Sequence, residues 1–117
     1  MTNSFLFQLN EEVNFFVEER DWDLFQTPKN LSMALIVEAA ELVEHFQWMQ
    51  PDESDSLTND KKDMVAEELA DILIYTVRLA DRLGIDLEQS VKDKLTKNRR
   101  KYPVEKARGK ATKYTEL

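Results

Sequence analysis

The spacing of apolar residues is the feature that most constrains the fold of this chain. They recur at i, i+3 and i+4, the separations that bring side chains to one face of an α-helix, most clearly over residues 3–20. Helix-breaking residues are scarce, with 2 Gly and 3 Pro among 117 residues. The pattern predicts an all-α fold with four helices, over about residues 3–20, 29–48, 60–83 and 87–101.

Residues that begin or end helices stand at these boundaries. Pro28 suits the first turn of the second helix, and Gly84 suits the left-handed position just beyond the third. Asp86 predicts an N-cap for the fourth helix, with Gln89 three residues later as in a capping box. Pro103 lies just beyond the end of that helix.

The second predicted helix is apolar on most of its sides. Its apolar residues do not fit one narrow stripe: Leu31, Leu35, Ile36, Val37, Leu42, Val43 and Phe46. A helix of this kind is buried on several faces. In so short a chain, this indicates either a central position in the bundle or a subunit interface.

The chain is interpreted as one domain over residues 1–103, followed by a basic tail over residues 104–117. Residues 49–60 are polar and predict a loop between the second and third helices. The tail has little apolar material and four basic residues, Lys106, Arg108, Lys110 and Lys113. We expect it to be mobile or to rest on a partner subunit.

Composition excludes several classes of function. There is no Cys and only one His, so thiol chemistry, disulfides and the usual Cys- or His-based metal sites are excluded. No apolar run approaches the roughly 20 residues of a membrane span, and the N-terminus lacks the basic region of a signal peptide, so we expect a cytoplasmic protein. The net charge of −7 disfavours binding to polymeric nucleic acid, although a phosphate ligand can still be met by cations or by a few Lys and Arg.

Two acidic pairs carry the most specific chemical information. Glu38 and Glu41 on the second helix, and Glu68 and Asp71 on the third, are each spaced i, i+3 and therefore share a face. Such pairs are usually solvated, but Glu38 falls within about 40° of Leu42 on the helical wheel, inside the apolar stripe. Burying unpaired carboxylates costs several kcal/mol each. We therefore expect a cation between the two helices.

The ligand chemistry indicates which cation. Carboxylates without a Cys or His cluster favour a hard ion, Mg²⁺ or Mn²⁺. A di-iron bundle would need a Glu-x-x-His motif on each of two helices, whereas the single histidine, His45, follows Glu41 at i+4. We expect His45 to pack beside the site rather than to bind the metal.

Other candidate residues are less specific. Lys94 and Asn98 lie in the apolar stripe of the fourth helix. They could bind a phosphate there; alternatively, the lysine extends past the apolar residues into solvent. Trp22 follows the first helix and Trp48 ends the second. Both are compatible with core packing and with an aromatic slot for a nucleobase.

With these residues in view, the chain resembles the MazG-like all-α nucleotide pyrophosphohydrolases, and most of all their dCTP pyrophosphatase branch. The resemblance covers about residues 5–103. The matching stretches are Glu19–Trp22 with Phe25, Pro28–Leu31, Ala34–Leu42, Phe46–Trp48, Glu67–Tyr75, and Lys94 with Asn98–Pro103.

The resemblance implies a four-helix bundle assembled as a homodimer or as a dimer of dimers. It implies magnesium ligands and catalytic groups at four positions, Glu38, Glu41, Glu68 and Asp71. It implies nucleotide-pocket residues at Trp22, Trp48 and Tyr75, and phosphate contacts at Lys94, Asn98 and Tyr102. The branch can carry a His on the first helix where this chain has Val13, which leaves base selectivity open.

The implied reaction is Mg²⁺-dependent hydrolysis of dCTP and other (deoxy)nucleoside triphosphates between the α and β phosphates, as house-cleaning of the nucleotide pool. One glutamate of the first pair would act as general base. The alternative is a non-catalytic acidic bundle that serves as an interaction or regulatory module. The apolar setting of Glu38 and Glu68 favours the enzyme, because a scaffold has no reason to place carboxylates there.

Overall fold

The computed structural model describes residues 4–117, and within that range the structure is helical without any strand. The helices are α1 (Phe5–Glu19), α2 (Pro28–Glu44), α3 (Pro51–Ser54), α4 (Asn59–Arg82), α5 (Leu87–Lys101) and α6 (Val104–Ala107), with 3-10 turns at Asp23–Phe25 and Tyr114–Glu116. The all-α prediction is confirmed for these residues, and each of the four predicted helices is present. The predicted start of the first helix, at residue 3, lies outside the described residues. Within the described range, no helix combines the length and apolar character needed to cross a membrane.

The predicted helix ends are largely confirmed. Pro28 occupies the first turn of α2, and Gly84 follows α4 with a φ of 67°, the left-handed conformation that glycine adopts freely. The Asp86 carboxylate accepts the Gln89 backbone N–H at 3.0 Å and caps α5. The reciprocal half of the predicted capping box is absent, because the Gln89 side chain donates to Asp93 instead.

Two predicted boundaries were wrong. The second helix was expected to reach residue 48 but ends at Glu44, and Trp48 lies in the turn beyond it. The cause is a tightening of the backbone, since the His45 and Phe46 N–H groups bond to carbonyls three residues back. The predicted loop over residues 49–60 contains the short helix α3, which Pro51 begins.

The chain divides into two compact units, one up to Gly84 and one from Ile85 onward. In the first unit α4 packs against both α2 and α1. The buried apolar residues there are few: Val17, Leu31, Val77 and Ala80. This small core leaves much apolar surface uncovered.

The second unit contains α5, α6 and the 3-10 turn at Tyr114–Glu116. Tyr114 packs edge-on against Tyr102 with ring centroids 5.9 Å apart, and the Lys101 ammonium lies 4.7 Å from the centre of the Tyr114 ring. Residues 104–117 therefore contain local structure, with a short helix and an aromatic contact to the end of α5. Their mobility, and their expected contact with a partner subunit, stay predictions.

Candidate functional site

Three carboxylates converge between α2 and α4. One carboxylate oxygen from each of Glu38, Glu41 and Glu68 lies within 4.8 Å of the other two. Glu38 and Glu41 are one helical turn apart on α2, so both face α4, which packs against that helix. The fold thus brings together, from two helices, three of the four carboxylates predicted from the sequence.

The cluster is poorly satisfied within the chain. Glu38 Oε2 and Glu68 Oε2 are both buried and have no hydrogen-bond partner among the described residues. Burial raises the pKa of Glu38 to about 7, and the facing carboxyls of Glu68 and Glu41 act in the same direction. The facing carboxyl of Glu68 is also the main reason why the pKa of Glu41 is raised. Because like charges this close together repel, the cluster favours binding of a proton or a cation.

The donor set fits a hard divalent cation. Carboxylate oxygens are the ligands that Mg²⁺ and Mn²⁺ prefer, and two buried oxygens without partners are free to bind one. His45, at the end of α2, points Nε2 toward Glu68 Oε1 at 3.6 Å. This position agrees with the expectation that His45 lies beside the site, where it can orient Glu68.

Asp71 is not part of this three-carboxylate group. It lies one turn after Glu68 on α4, is one methylene shorter than Glu, and lines a neighbouring cavity. Its charge is close enough to contribute to the raised pKa of both Glu38 and Tyr75. Its predicted role as a metal ligand stays a prediction.

The cavity beside the cluster has a volume of about 430 Å³. Its walls come from α1, α4 and the segment between α1 and α2: Leu9, Glu12, Val13, Phe16, Val17, Trp22, Gln26, Asp71, Ile74, Tyr75 and Arg78. The volume is in the range of small-ligand pockets, and a mainly apolar lining with a few polar groups is typical of them. Tyr75 is partly buried in this wall, and burial raises the pKa of its hydroxyl, with the charge of Glu38 adding to the effect.

The end of α1 places Trp22 in the cavity wall. Asp21 has a φ of 52°, a left-handed conformation that Asp tolerates better than most residues. The Trp22 N–H then bonds to the Val17 carbonyl at 3.1 Å, which closes the helix end. The indole packs edge-on against Phe16, with ring centroids 5.7 Å apart. Trp22 keeps part of its surface open and can offer it to a ligand.

The polar wall of the cavity was not predicted from the sequence. Arg78 is buried, only 6% exposed, and donates hydrogen bonds to Gln26, Asn14 and Asp23. The Arg78 hydrogen bond is the main cause that lowers the pKa of Asp23. Arg78 lies seven residues after Asp71 and so shares its face of α4, which was the one signal available in the sequence.

The remaining predicted residues are placed as follows. Trp48 is 89% exposed and does not line the cavity within one chain. Lys94 and Asn98 lie on α5 and Tyr102 caps its end, all in the second compact unit. Their predicted contacts with a nucleotide stay predictions.

The fold and the carboxylate cluster define an all-α protein with a candidate metal centre beside a ligand-sized cavity. A family model described as "MazG-like family" matches residues 33–117. That match spans well over half of the chain, and the chain therefore belongs to the MazG-like family.

Named relatives agree with this assignment. The chain is 49% identical over 105 residues to "dCTP pyrophosphatase 1" of Bos taurus, across 87% of the chain and 62% of the relative. It is 45% identical over 104 residues to "dCTP pyrophosphatase 1" of Homo sapiens, across 87% of the chain and 61% of that relative. The chain thus spans less than two thirds of the length of these relatives.

One solved structure resembles this chain along almost the whole length of both proteins. A pyrophosphatase from Archaeoglobus fulgidus superimposes with a TM-score of 0.81 at 38% identity, and the match covers 88% of this chain and 96% of that one. The helical arrangement described here is therefore also that of a solved pyrophosphatase.

Proposed function

We propose that this protein hydrolyses (deoxy)nucleoside triphosphates between the α and β phosphates, releasing a nucleoside monophosphate and pyrophosphate. The observation that carries the proposal is the convergence of Glu38, Glu41 and Glu68, with two buried and unpartnered oxygens, next to a cavity lined by Trp22. The pyrophosphatase names of its relatives support the same reaction.

Mg²⁺, or alternatively Mn²⁺, is the proposed ion. Glu38, Glu41 and Glu68 would hold it, with Asp71 as a fourth candidate ligand one turn further along α4. When bound, the ion would neutralise charge on the phosphate oxygens and lower the pKa of an attacking water. One glutamate of the Glu38–Glu41 pair would accept the proton of that water.

The cavity would hold the nucleoside. Trp22 supplies a partly open indole face, and Tyr75 continues the wall toward Asp71 on α4. Trp48 is proposed as a second aromatic contact. Lys94 and Asn98 on α5, and Tyr102 just beyond its end, are proposed as phosphate contacts. We expect dCTP and at least one further dNTP as substrates, with house-cleaning of the cytoplasmic nucleotide pool as the role.

The protein is proposed to act as a homodimer or a dimer of dimers. Apolar side chains that are half or more exposed extend along α2: Met33, Ile36, Val37 and Val43. A monomer rarely leaves a contiguous apolar patch of this kind in water. A second copy of the chain would cover it.

A coupled phosphate assay tests the reaction. Purified protein is incubated with Mg²⁺ and each of the common NTPs and dNTPs, with and without added inorganic pyrophosphatase. Cleavage between the α and β phosphates yields orthophosphate only when pyrophosphatase is present, whereas release of the terminal phosphate yields it in both arms. Absence of phosphate release from every triphosphate in both arms would contradict the proposal and favour a non-catalytic interaction module.

A further inference from the structure

Arg78 forms a buried polar junction in the wall of the cavity. Its Nε donates to Gln26 Oε1 at 2.8 Å, one Nη to Asn14 Oδ1 at 3.1 Å, and the other to Asp23 Oδ1 at 2.6 Å. Arg82 donates to the same Asp23 oxygen at 2.7 Å. The guanidinium is therefore held in one orientation by three acceptors from α1 and from the segment before α2.

This junction fixes the orientation of the Gln26 amide. A glutamine can place either its oxygen or its NH₂ group toward a neighbour, but only the oxygen can accept from a guanidinium N–H. The backbone of Gln26 is also held, since its N–H bonds to the Asp23 carbonyl. The amide NH₂ is left without a hydrogen-bond partner among the described residues, on a side chain that lines the cavity.

The cavity wall thus presents an oriented neutral donor. The other polar side chains of the α1 and α4 walls include two carboxylates, Glu12 and Asp71, which only accept when ionised. At position 13 the wall offers the apolar Val13. A ligand that places a hydrogen-bond acceptor beside Gln26 is favoured there, and a ligand that places a donor there is disfavoured.

We propose that Gln26 determines base selectivity in this cavity, and that Arg78 is the positioning residue that aims its NH₂ group. This inference rests on the proposed function and specifies which hydrogen-bonding edge of the nucleobase the protein recognises. Cytosine presents two adjacent acceptors, N3 and O2, whereas uracil and thymine carry a proton on N3. Uracil also carries carbonyl acceptors at O2 and O4, so the two bases differ as partners of an NH₂ donor at N3. We place N3 of the base beside the Gln26 NH₂ group, where cytosine accepts the hydrogen bond and uracil presents a second donor.

The isosteric variant Gln26→Glu tests this directly. Glu can keep the contact with Arg78 through one oxygen, but it replaces the donor that faces the cavity with an acceptor. We expect the ratio of kcat/KM for dCTP over dUTP to fall by at least about tenfold, mostly through KM. Turnover of 2-deoxyribose 5-triphosphate, which has no base, is measured in parallel as the reference substrate.

Two arginine variants separate positioning from general stability. Arg78→Lys cannot hold the amide, Asn14 and Asp23 together, because a lysine lacks the planar fork, and it should lower the same ratio. Arg82→Gln loses a contact to Asp23 but none to Gln26, and it should leave the ratio unchanged. If Arg78→Lys does not fold, as judged by circular dichroism, Gln26→Glu carries the test alone.

The possible failures are distinguishable. An active Gln26→Glu variant with the wild-type preference for dCTP over dUTP overturns the inference and leaves the proposed function intact. If the wild type hydrolyses no triphosphate, including the one without a base, the proposed function fails. The inference is then tested by tryptophan fluorescence titration with dCMP and dUMP, where equal relative affinities in wild type and Gln26→Glu refute it.

Discussion

Removal of one charge from the carboxylate cluster should stabilise the metal-free protein. The perturbation is Glu38→Gln, which keeps the size of the side chain and removes its ability to ionise. In the wild type at pH 8, Glu38 is ionised although its carboxyl is partly buried and faces Glu41 and Glu68. Because that arrangement disfavours the charged form, the free energy of unfolding is lower than it would be with a neutral side chain.

The magnitude follows from the pKa. A carboxyl whose pKa rises from 4.5 to about 7 on folding loses at most about 3 kcal/mol of stability once both states are ionised. Because solvent screens the charge of a partly exposed carboxylate, we expect the effect to be about 1–2 kcal/mol. The folded state holds its proton to higher pH than the unfolded state, so stability should fall as the pH rises from about 4.5 to about 7.

The assay is thermal unfolding in EDTA between pH 5 and pH 8.5, at one fixed protein concentration. For a domain of this size, 1–2 kcal/mol corresponds to a rise in Tm of about 4–8 °C for Glu38→Gln at pH 8. The gain should shrink toward pH 5, where the wild-type carboxyl is protonated. Glu67→Gln, an exposed carboxylate next to Glu68 on the same helix, is the matched control and should change Tm little.

Magnesium should reverse the order of stability. An ion that binds only the folded state raises the wild-type Tm with concentration, whereas Glu38→Gln should respond much less. Two results would refute the claim that the charge of Glu38 destabilises the metal-free protein. One is a lower Tm for Glu38→Gln than for the wild type in EDTA at pH 8, and the other is a wild-type stability that rises between pH 5 and pH 7.

Four further outcomes are expected. Turnover should require Mg²⁺ or Mn²⁺ and stop with EDTA, because the cluster offers only hard ligands; full activity in excess chelator would contradict the metal assignment. Glu41→Gln and Asp71→Asn should each abolish turnover while the fold persists by circular dichroism, and near-wild-type rates in both would remove these residues from the mechanism. Light scattering at micromolar concentration should give the mass of an oligomer, because exposed apolar residues run along α2, and a monomeric mass would refute this. Trp22→Ala and Trp48→Ala should raise KM far more than they lower kcat, and unchanged KM in both would return base recognition to other residues.

The sequence predicted those features that depend on short separations along the chain. Helical periodicity identified α1, α2, α4 and α5, and single residues such as Gly84 and Asp86 marked their ends. The i, i+3 spacing identified the acidic residues that share a face on each helix. These features are local, because one turn of helix determines them.

Features that depend on contacts between residues far apart in the sequence were not predicted. A helical wheel gives the face of Glu68 and Asp71 but not the distance from either to α2, so it could not show that only Glu68 joins the Glu38–Glu41 pair within 4.8 Å. The partners of Arg78 lie 52 to 64 residues away in the chain. The end of α2 at Glu44 was also missed, because no glycine or proline marks the change to three-residue hydrogen bonding there.

One helix connects the two halves of the proposed chemistry. Glu68, Asp71, Tyr75 and Arg78 follow one another on α4 at separations of three, four and three residues, within about 80° of one another on the helical wheel. Glu68 belongs to the carboxylate cluster, the next three line the cavity, and Arg78 holds Gln26. Ten residues of α-helix span about 15 Å along the axis, which separates the end that would bind phosphate from the end that would read the base. Because one rigid element sets that distance, a base seated wrongly beside Gln26 would also displace the phosphates at the cluster. Selection of the base would therefore act mostly through KM, with a smaller effect on kcat.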